Sequence, residues 1–489
     1  MNRNFTVKIY KMGPKLGLFL SENWLKINGY SKGDIVNITM RKNDKEISFL
    51  TKINRIISLR RKVVTILKLK YGNIVSASIN KVCNLKRSTK LFENNKIDLL
   101  SLIPYKTSYG YEIIVIEFIR NNEKWLRIWY SHKRGSARQI ELKRFINIKF
   151  LGYLFGQLQA EGTKCGRKFR LDFSNKLILE HKNFIESIEQ IGINKNLLTA
   201  ELTIHRNFND DINRLIIEYQ KITRVPIKYI QKSPQNGYYG FKTYIRSTIL
   251  TEILISALSV MRKILVAKDW DKNLAIFADA FLSKLLTGDG SIDVQTRNRQ
   301  SNYPLIRITI TDGNTEYLDD YSKIIKKLGF RPHINYKYKK VRAICSLEKL
   351  LYLYKIRAFE NSNNWNKLLL SIALCLKGRR YRTNYRFIDL SKLETFTSLF
   401  LAENYNVSLS SANDWLFNKE KEGLAIKVNS NYLKEWKLTE KAIKLASLLE
   451  SWYKEFNELI VNSKTQNPLD ILDSLKVRGC HFQPKRPAI

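Results

Sequence analysis

Two acidic residues stand at the ends of two apolar runs that follow the same pattern. "LFGQLQAEG" (154–162) closes on Glu161 and "LSKLLTGDG" (282–290) closes on Asp289, each acid lying between two small residues. Two carboxylates held together repel each other unless a cation lies between them, and Mg²⁺ prefers such hard oxygen ligands. Metal ions held in this way activate water and stabilise the leaving oxygen of a phosphodiester. The motifs therefore predict a divalent-metal site that works on a nucleic-acid backbone.

The runs before the two acids have the composition of closely packed helices. Small residues recur every four positions along both runs, with one lysine among them: Gly152, Gly156 and Ala160, then Ala280, Lys284 and Gly288. Residues four apart share one helix face, so two such helices can approach each other closely. Packed together, they would bring Glu161 and Asp289 side by side. The helix-end carbonyls of Ala160 and Gly288 would then be further metal ligands.

The chain between residues 146 and 386 can be aligned with itself. Each half begins with an acidic-motif helix and continues with strands ending in "FRLDFSN" (169–175) or "IRITITD" (306–312). An amphipathic helix closed by a glycine follows, and then further strands and a helix. We predict an α+β fold with a duplicated αββαββα core, whose halves span 146–272 and 273–386.

The overall charge indicates the class of partner. Lys and Arg number 85 against 44 Asp and Glu, which leaves a formal charge of +41 and favours a polyanionic partner, double-stranded DNA above all. Apolar runs such as "LLLSIALCL" (368–376) are shorter than the roughly 18 residues that a membrane span requires. With no secretory signal visible, we expect an intracellular monomer of the cytoplasm or nucleoid with no membrane partner.

Cysteine and histidine offer no alternative chemistry. The five cysteines lie far apart and form no C-x-x-C pair, and the five histidines form no H-E-x-x-H pair. We interpret the cysteines as structural or incidental and do not expect a histidine-metal enzyme.

Residues 1–145 read as a β-rich region. Among its predicted strands are "FTVKIY", "DIVNITM", "KVVTILKL" (62–69) and "YEIIVIEFI". Within it, residues 16–40 resemble the swapped-hairpin DNA-binding modules of the AbrB type, which would place such a module near 5–45. The alternative is an ordinary small β-barrel.

The region 387–460 has the helix, helix, hairpin and helix order of a winged helix, followed by a polar tail at 461–489. In this interpretation the helix that begins at Ser408 enters the major groove and Thr439 caps the last helix. The alternative is a small α/β packing domain without nucleic-acid contact.

The paired motifs resemble those of the LAGLIDADG homing endonucleases in their single-chain form, over residues 146–386. The resemblance implies two motif helices at a pseudo-twofold interface, with two four-stranded sheets that sit in the major groove. It further implies that Glu161 and Asp289 are the catalytic, metal-binding carboxylates and that Asn175 and Asp312 contact the metal-bound water. Lys284, Gln159 and Thr287 depart from the family pattern, and Lys268 and Lys272 are the candidates for its solvent-organising lysine.

Basic residues on the predicted strands are the candidates for DNA contact. They are Arg167, Lys168, Arg170, Lys242, Arg246, Arg297, Arg299, Lys337, Lys339, Lys340 and Arg342. Alternation along a strand places about half of such residues on the groove face.

Three functions remain open on these observations. The first is a Mg²⁺-dependent endonuclease that makes a staggered double-strand cut, either freestanding or encoded in an intron. The second is a DNA-binding transcriptional regulator that does not cleave, and the third is an RNA maturase on the same scaffold. Acids in both halves favour cleavage, because a protein that only binds has no need for two repelling carboxylates.

Overall fold

The computed structural model describes most of the chain. The described residues are 3–59, 61–130, 138–162, 169–206, 208, 211–235, 237–296, 304–377, 382–405, 407–428, 435–447 and 449–451. They form a mixed α and β fold that divides into two compact units, with the boundary between Ala278 and Asp279. None of the helices in these ranges is long and apolar enough to cross a membrane.

Residues 3–81 form the N-terminal sheet, which has six strands and two short helices. The elements are β1 (Arg3–Met12), β2 (Lys15–Phe19), α1 (Glu22–Ile27), β3 (Ile35–Lys42), β4 (Lys45–Lys52), β5 (Ile56–Ser58), α2 (Arg61–Ile66) and β6 (Ile74–Lys81). The strand order is β4-β3-β6-β1-β2-β5, with every neighbouring pair antiparallel. Alternate side chains such as Ile9, Ile38 and Val75 point inward and form one buried core.

The strand predicted at "KVVTILKL" is wrong, because this segment contains α2. Val63 and Leu67 are both buried, and residues four apart lie on one face of a helix. Four consecutive β-branched residues, at 63–66, had favoured a strand, but packing against the sheet outweighs that preference. The sheet also extends well beyond residue 45, since β3 pairs with both β4 and β6.

The N-terminal sheet consists of two similar ββαβ repeats. The Ser31 backbone N–H donates to Asp34 Oδ2, and the Lys70 N–H donates to Asn73 Oδ1, both at 2.8 Å. The two pairs are 39 residues apart (70 − 31 and 73 − 34). The first repeat is therefore β1-β2-α1-β3 and the second is β4-β5-α2-β6.

Two three-stranded sheets follow. The elements are β7 (Phe92–Glu93), β8 (Lys96–Asp98), β9 (Ile114–Arg120), β10 (Glu123–Tyr130), β11 (Arg138–Lys143) and β12 (Phe145–Asn147), with a 3-10 turn at Leu99–Ser101. Their orders are β11-β10-β9 and β12-β8-β7. Arg144 joins the two sheets through ion pairs with Asp98 on β8 and Glu117 on β9.

The segment that follows forms the first four-stranded sheet. Its elements are α3 (Ile148–Glu161), β13 (Leu171–Asn175), α4 (Ile178–Gln190), a 3-10 turn at Lys195–Leu197, β14 (Thr199–His205), α5 (Ile212–Thr223), β15 (Ile227–Ser233), β16 (Tyr239–Ile245) and α6 (Thr248–Ala267). The order is β13-β16-β14-β15, and β14 and β15 are parallel. The unit predicted from sequence lacked α5, which is the crossover that a parallel strand pair requires.

The second four-stranded sheet is antiparallel throughout. Its elements are α7 (Lys272–Asp289), β17 (Gly290–Thr296), β18 (Pro304–Thr311), α8 (Thr315–Lys327), β19 (Pro332–Asn335), β20 (Lys340–Ile344) and α9 (Leu347–Lys355). The sheet order is β17-β18-β20-β19. In this segment the observed order of elements is αββαββα.

The last described segment contains α10 (Asn363–Lys377), α11 (Arg382–Leu390), β21 (Phe396–Thr397), α12 (Ser398–Tyr405), α13 (Leu409–Lys421), β22 (Ala425–Val428) and β23 (Glu435–Leu438). Residues 440–447 and 449–451 are also helical. The sheet order is β21-β23-β22, and Trp436 lies fully buried in the core that these elements share. Two helices and a hairpin thus stand where the sequence predicted them.

Candidate metal and nucleic-acid site

The first acidic motif lies at the C-terminal end of a buried helix. Asn147 caps the N-terminus of α3, and its side chain accepts a hydrogen bond from Lys149 N at 2.9 Å. Most of the helix is buried, including Ala160, whereas Glu161 is half-buried at the end. Asp289 is likewise half-buried at the last position of α7. Each acid therefore combines access to solvent with a rigid supporting helix.

The glycine after each acid is required by a close approach of the backbone. A Cβ atom on Gly162 would lie 2.6 Å from Leu158 Cα and O, and one on Gly290 would lie 2.4 Å from Leu286 O. Both contacts are with the residue four positions earlier, because the chain leaves the helix directly across its last turn. The glycine thus holds the acid at the junction of helix and strand.

Both motifs enter their sheets in the same register. Gly162 pairs with Phe173 in an antiparallel bridge, and Gly290 pairs with Ile310 at the start of the β17–β18 ladder. Phe173 precedes Asn175 by two residues (175 − 173), and Ile310 precedes Asp312 by two (312 − 310). In both segments the backbone therefore follows the same course from the acidic residue to the second strand of the motif, β13 in one case and β18 in the other.

Asn175 and Asp312 occupy matching positions, and each forms a side-chain turn two residues before the cap of the next helix. Asn175 Oδ1 accepts from Leu177 N at 2.9 Å, and Asp312 Oδ1 accepts from Asn314 N at 3.0 Å. Asp312 is buried, and its Oδ2 accepts the Tyr321 hydroxyl at 2.8 Å. The matching placement predicted from the motifs is found, with both side chains engaged in these turns. Their contact with metal-bound water stays a prediction.

The helices that follow also match. α4 and α8 both have 13 residues, and their first residues are 137 positions apart (315 − 178). Gly192 and Gly329, at the same spacing, have positive φ angles of 96° and 77° and end the two helices.

The donor set fits a hard cation. Each motif supplies a carboxylate and helix-end carbonyls that have no partner within the helix, among them the Ala160 and Gly288 carbonyls of the predicted ligand set. Within the described ranges, no group of three or more His, Cys, Asp or Glu side chains is arranged to hold a metal ion. A bound Mg²⁺ would therefore draw its other ligands from water and phosphate, as this ion commonly does.

Lys284 is a buried cation in the same helix as Asp289. It is only 4% exposed and lies five residues before Asp289 (289 − 284) in the same helix. A buried ammonium is costly unless anionic or polar groups surround it. Lys272, one of the two solvent-organising candidates, is at the other end of α7, about 25 Å from Asp289 at 1.5 Å per residue.

One ring contact joins the two motif helices inside the first compact unit. Phe155 of α3 and Phe277, in the second turn of α7, have ring centroids 6.1 Å apart in an edge-to-face arrangement. Such pairs add to the free energy gained from burial alone.

On the second four-stranded sheet, the face opposite the apolar core is polar and basic, with Arg307 half-buried and Thr309 buried. Ile306, Ile308 and Ile310 point into the core, so Arg307 and Thr309 point the other way. Thr309 pairs with Arg342, which follows Lys340 by two residues on β20. Arg342 Nε is buried and makes no hydrogen bond within the described structure. Arg307 was not among the predicted DNA contacts, although alternation in "IRITIT" places it on this face.

Arg170 is not available for DNA, contrary to the prediction. It is 7% exposed, and its guanidinium lies 3.1 Å from Asp172 Oδ2 and 3.2 Å from Glu201 Oε1. It also lies over the Tyr244 ring, 4.5 Å from the centroid. The two neighbouring carboxylates make this arginine a structural cation of the first sheet.

The other basic candidates have different environments. Lys242 is half-buried on β16 and Arg246 is exposed just after it. Lys337 and Lys339 lie in the turn between β19 and β20, not on a strand face. Arg167, Lys168, Arg297 and Arg299 lie outside the described residues, as does the tail at 461–489.

The structure has a helix start at Ser408 and a helix cap at Thr439, as the sequence predicted. Ser408 Oγ accepts from Ser411 N at 3.1 Å at the start of α13, and Thr439 Oγ1 accepts from Ala442 N at 3.3 Å. The exposed positions of α13 include Ser410, Asp414 and Asn418.

Comparison with known proteins identifies one part of the chain. A family model described as a LAGLIDADG-like domain matches residues 277–361, which include Asp289 and run from within α7 to just past α9. This segment is therefore similar to that domain and supports the LAGLIDADG resemblance. The comparison with curated proteins found no match.

Three solved structures resemble part of the chain at low similarity. A ZitR mutant from Lactococcus lactis has 18% identity and a TM-score of 0.16, covering 19% of this chain and 66% of that chain. FabT from Streptococcus pneumoniae in complex with DNA has 20% identity and a TM-score of 0.17, covering 22% and 82%. The same ZitR mutant in its apo form has 16% identity and a TM-score of 0.18, covering 23% and 89%. TM-scores this low define no shared overall fold.

Proposed function

We propose that the protein is a metal-dependent DNA endonuclease of the LAGLIDADG type, with Glu161 and Asp289 as its metal-binding carboxylates. The observation that carries the proposal is the repeated construction of the two motifs. Each has a half-buried acid at a helix end, a glycine that admits no Cβ atom, and a strand pair in the same register. The family match at residues 277–361 supports the second motif independently.

In this proposal both acids take part in metal binding. Glu161 and Asp289 would each offer a carboxylate, and Ala160 and Gly288 a carbonyl oxygen. The bound metal would supply an activated water and stabilise the leaving oxygen. Both helices are rigid, so the carboxylates are held in place before substrate arrives.

DNA would be held by the open faces of the two four-stranded sheets. Arg307, Lys340 and Arg342 make the second sheet basic, and the unpaired Arg342 Nε is suited to a phosphate or base acceptor. Lys242 and Arg246 would serve the first sheet, in which Asp172 and Glu201 neutralise Arg170. The winged-helix-like segment at 387–460 would extend the contact through α13.

The test is a cleavage selection on randomised double-stranded DNA with Mg²⁺. We expect the unmodified protein to make a short staggered double-strand cut. Glu161→Gln and Asp289→Asn should each bind the selected site within about threefold of the unmodified protein and cut it at least 100-fold more slowly, a range typical of essential catalytic groups. Glu218→Gln, which changes an exposed carboxylate on α5, should cut normally and is the matched control. Normal cutting by both motif variants would remove these acids from the mechanism.

A DNA-binding regulator that does not cleave is the second candidate, and the buried Lys284 favours it. An ammonium beside the motif could offset acidic charge without any metal. A protein of this kind would bind a defined sequence and leave every library uncut, with or without Mg²⁺.

A further inference from the structure

One face of the N-terminal sheet carries large exposed side chains. We call it the platform, formed by Lys8, Tyr10, Phe19, Arg55, Ile56, Tyr71 and Ile74. Lys8 pairs with Ile74 and Phe19 pairs with Ile56 across neighbouring strands, so side chains from four strands form one row. An exposed row of apolar groups on a sheet marks an interaction surface.

The aromatic rings of the platform are accessible and close to cations. Tyr10 is 43% exposed and Phe19 is 37% exposed, and their ring centroids are 6.1 Å apart. The Arg55 guanidinium lies 5.3 Å from the Phe19 ring centroid. Tyr71, which is 65% exposed, precedes Gly72, whose N–H donates to Ile9 O at 3.0 Å. Tyr71 therefore lies beside β1.

The platform contains two cations, Lys8 and Arg55, and no acidic residue. The strands β1, β2, β5 and β6 contain Arg3, Lys8, Lys11, Lys15 and Lys81 and no acidic residue. Over residues 3–81, 17 Lys and Arg stand against 4 Asp and Glu, a net of +13. Such a surface attracts a polyanion.

Two aromatic residues of the platform, Tyr10 and Phe19, belong to the first repeat and have no aromatic counterpart in the second. The Ile9 N–H donates to Asn73 O, and the Ile53 N–H donates to Asp34 O. Because Asp34 and Asn73 occupy the same position in the two repeats, Ile9 and Ile53 do so as well. Leu20 and Leu59 also occupy the same position in the two repeats, and their N–H groups donate to Arg55 O and Leu16 O respectively. Leu16 and Arg55 are therefore a second matching pair. Residues 10–15, which include Tyr10, therefore stand where the second repeat has only Asn54. Phe19 is matched by Ser58. The core that the two repeats share therefore does not account for the exposed Tyr10 and Phe19.

We propose that the platform binds single-stranded nucleic acid, with bases stacked on Tyr10 and Phe19 and phosphates near Lys8 and Arg55. Exposed rings beside cations suit unpaired bases, because stacking requires a free base face and a duplex buries its base faces. This surface is separate from the acids and sheets of the proposed endonuclease site and does not depend on them.

The test measures binding of labelled oligonucleotides to the full chain by fluorescence anisotropy, with EDTA present so that no cutting occurs. The probes are a 12-nucleotide oligo-dT and a 12-base-pair duplex. We expect the double variant Tyr10→Ala with Phe19→Ser to bind oligo-dT at least tenfold more weakly and to bind the duplex within twofold. Tyr109→Ala changes an exposed tyrosine outside the platform and should change neither affinity.

A charge variant tests the same surface without altering the aromatic rings. Lys8→Glu should weaken oligo-dT binding about fivefold. Lys52→Glu is the matched control, because Lys52 lies one residue before Ile53 as Lys8 lies before Ile9, and both lysines are exposed. The proposal is overturned if folded platform variants bind oligo-dT like the unmodified protein. It is equally overturned if they lose duplex and single-strand binding to the same extent, which would indicate a general duplex-binding face.

Discussion

Arg170 Nη1 lies 3.2 Å from Oε1 of Glu201, a residue two strands away in the same sheet. Asp172 holds the same guanidinium from β13. An arginine that appears in the sequence as a DNA ligand thus neutralises two buried carboxylates of its own sheet. Basic residues that are paired with carboxylates of their own sheet, such as Arg170, stabilise the fold, and the remaining basic residues are the candidates for DNA contact.

We expect Arg170→Ala to lower the free energy of unfolding by about 3–5 kcal/mol, because it leaves two buried carboxylates without their cation. Arg307→Ala should leave stability nearly unchanged and weaken DNA binding about fivefold. Urea unfolding and salt-dependent DNA binding measure the two effects. A stable Arg170→Ala protein whose binding depends less steeply on salt would show that Arg170 contacts phosphate after all.

Gly162→Ala and Gly290→Ala should each destabilise the protein by about 1–3 kcal/mol, because the added methyl group overlaps the preceding helical turn. Gly313→Ala is the matched control, since a Cβ atom at residue 313 would meet nothing within 4 Å and the φ angle there is not positive. Thermal unfolding of the three variants provides the comparison. Wild-type stability in Gly290→Ala would mean that the chain leaves α7 by a different path.

Asp312→Ala should cost about 1–3 kcal/mol of stability, because it removes the acceptor of the Asn314 N–H in the turn before α8 and the acceptor of the buried Tyr321 hydroxyl. Asp312→Asn retains an oxygen that accepts the Asn314 N–H and presents an NH2 group that can donate to the Tyr321 hydroxyl oxygen, so it should restore most of that loss. Chemical unfolding tests the structural role, and DNA cleavage by the folded Asp312→Asn protein tests the metal-water role. Slow cleavage with normal stability would assign Asp312 a part in the chemistry as well.

Stability should fall in mild acid because of His181. Burial lowers the pKa of this histidine to about 4 from its usual 6.5, while its ring nitrogens bond Thr243 Oγ1 at 2.6 Å and Asn175 O at 2.9 Å. Between pH 6.5 and 4 the unfolded chain takes up a proton that the folded protein does not. Stability is therefore complete above pH 6.5 and declines as the pH falls toward 4, by on the order of 3 kcal/mol.

His181→Gln keeps polar contacts at this position but does not titrate, so its stability should depend less on pH over that range. Unfolding by urea at several pH values measures the difference. Parallel curves for the two proteins would place the acid sensitivity in other groups.

Features that depend on short stretches of sequence were predictable. The acid and glycine motifs, the caps at Ser408 and Thr439, and the glycines that end α4 and α8 all follow from contacts within a few residues. Such contacts are encoded by residue type and spacing, so they can be found without knowing the fold. The matching positions of Asn175 and Asp312 were found in the same way.

Features that depend on distant residues were missed. "KVVTILKL" looks like a strand until the sheet that buries Val63 and Leu67 is known. Nothing local in the sequence indicates that β15 pairs in parallel with β14 across the intervening α5.

The sequence by itself determined the two acidic motifs, their spacing from the following strands, and a charge that favours a polyanion. Only the tertiary structure decided which cations remain available to that polyanion. It buried Arg170 between Asp172 and Glu201 and left Arg307 half-buried on the sheet face opposite the core, because burial and ion pairing depend on strand order. The type of a residue indicates which partners it can bind, whereas its neighbours in the folded protein determine whether it is already paired within the protein.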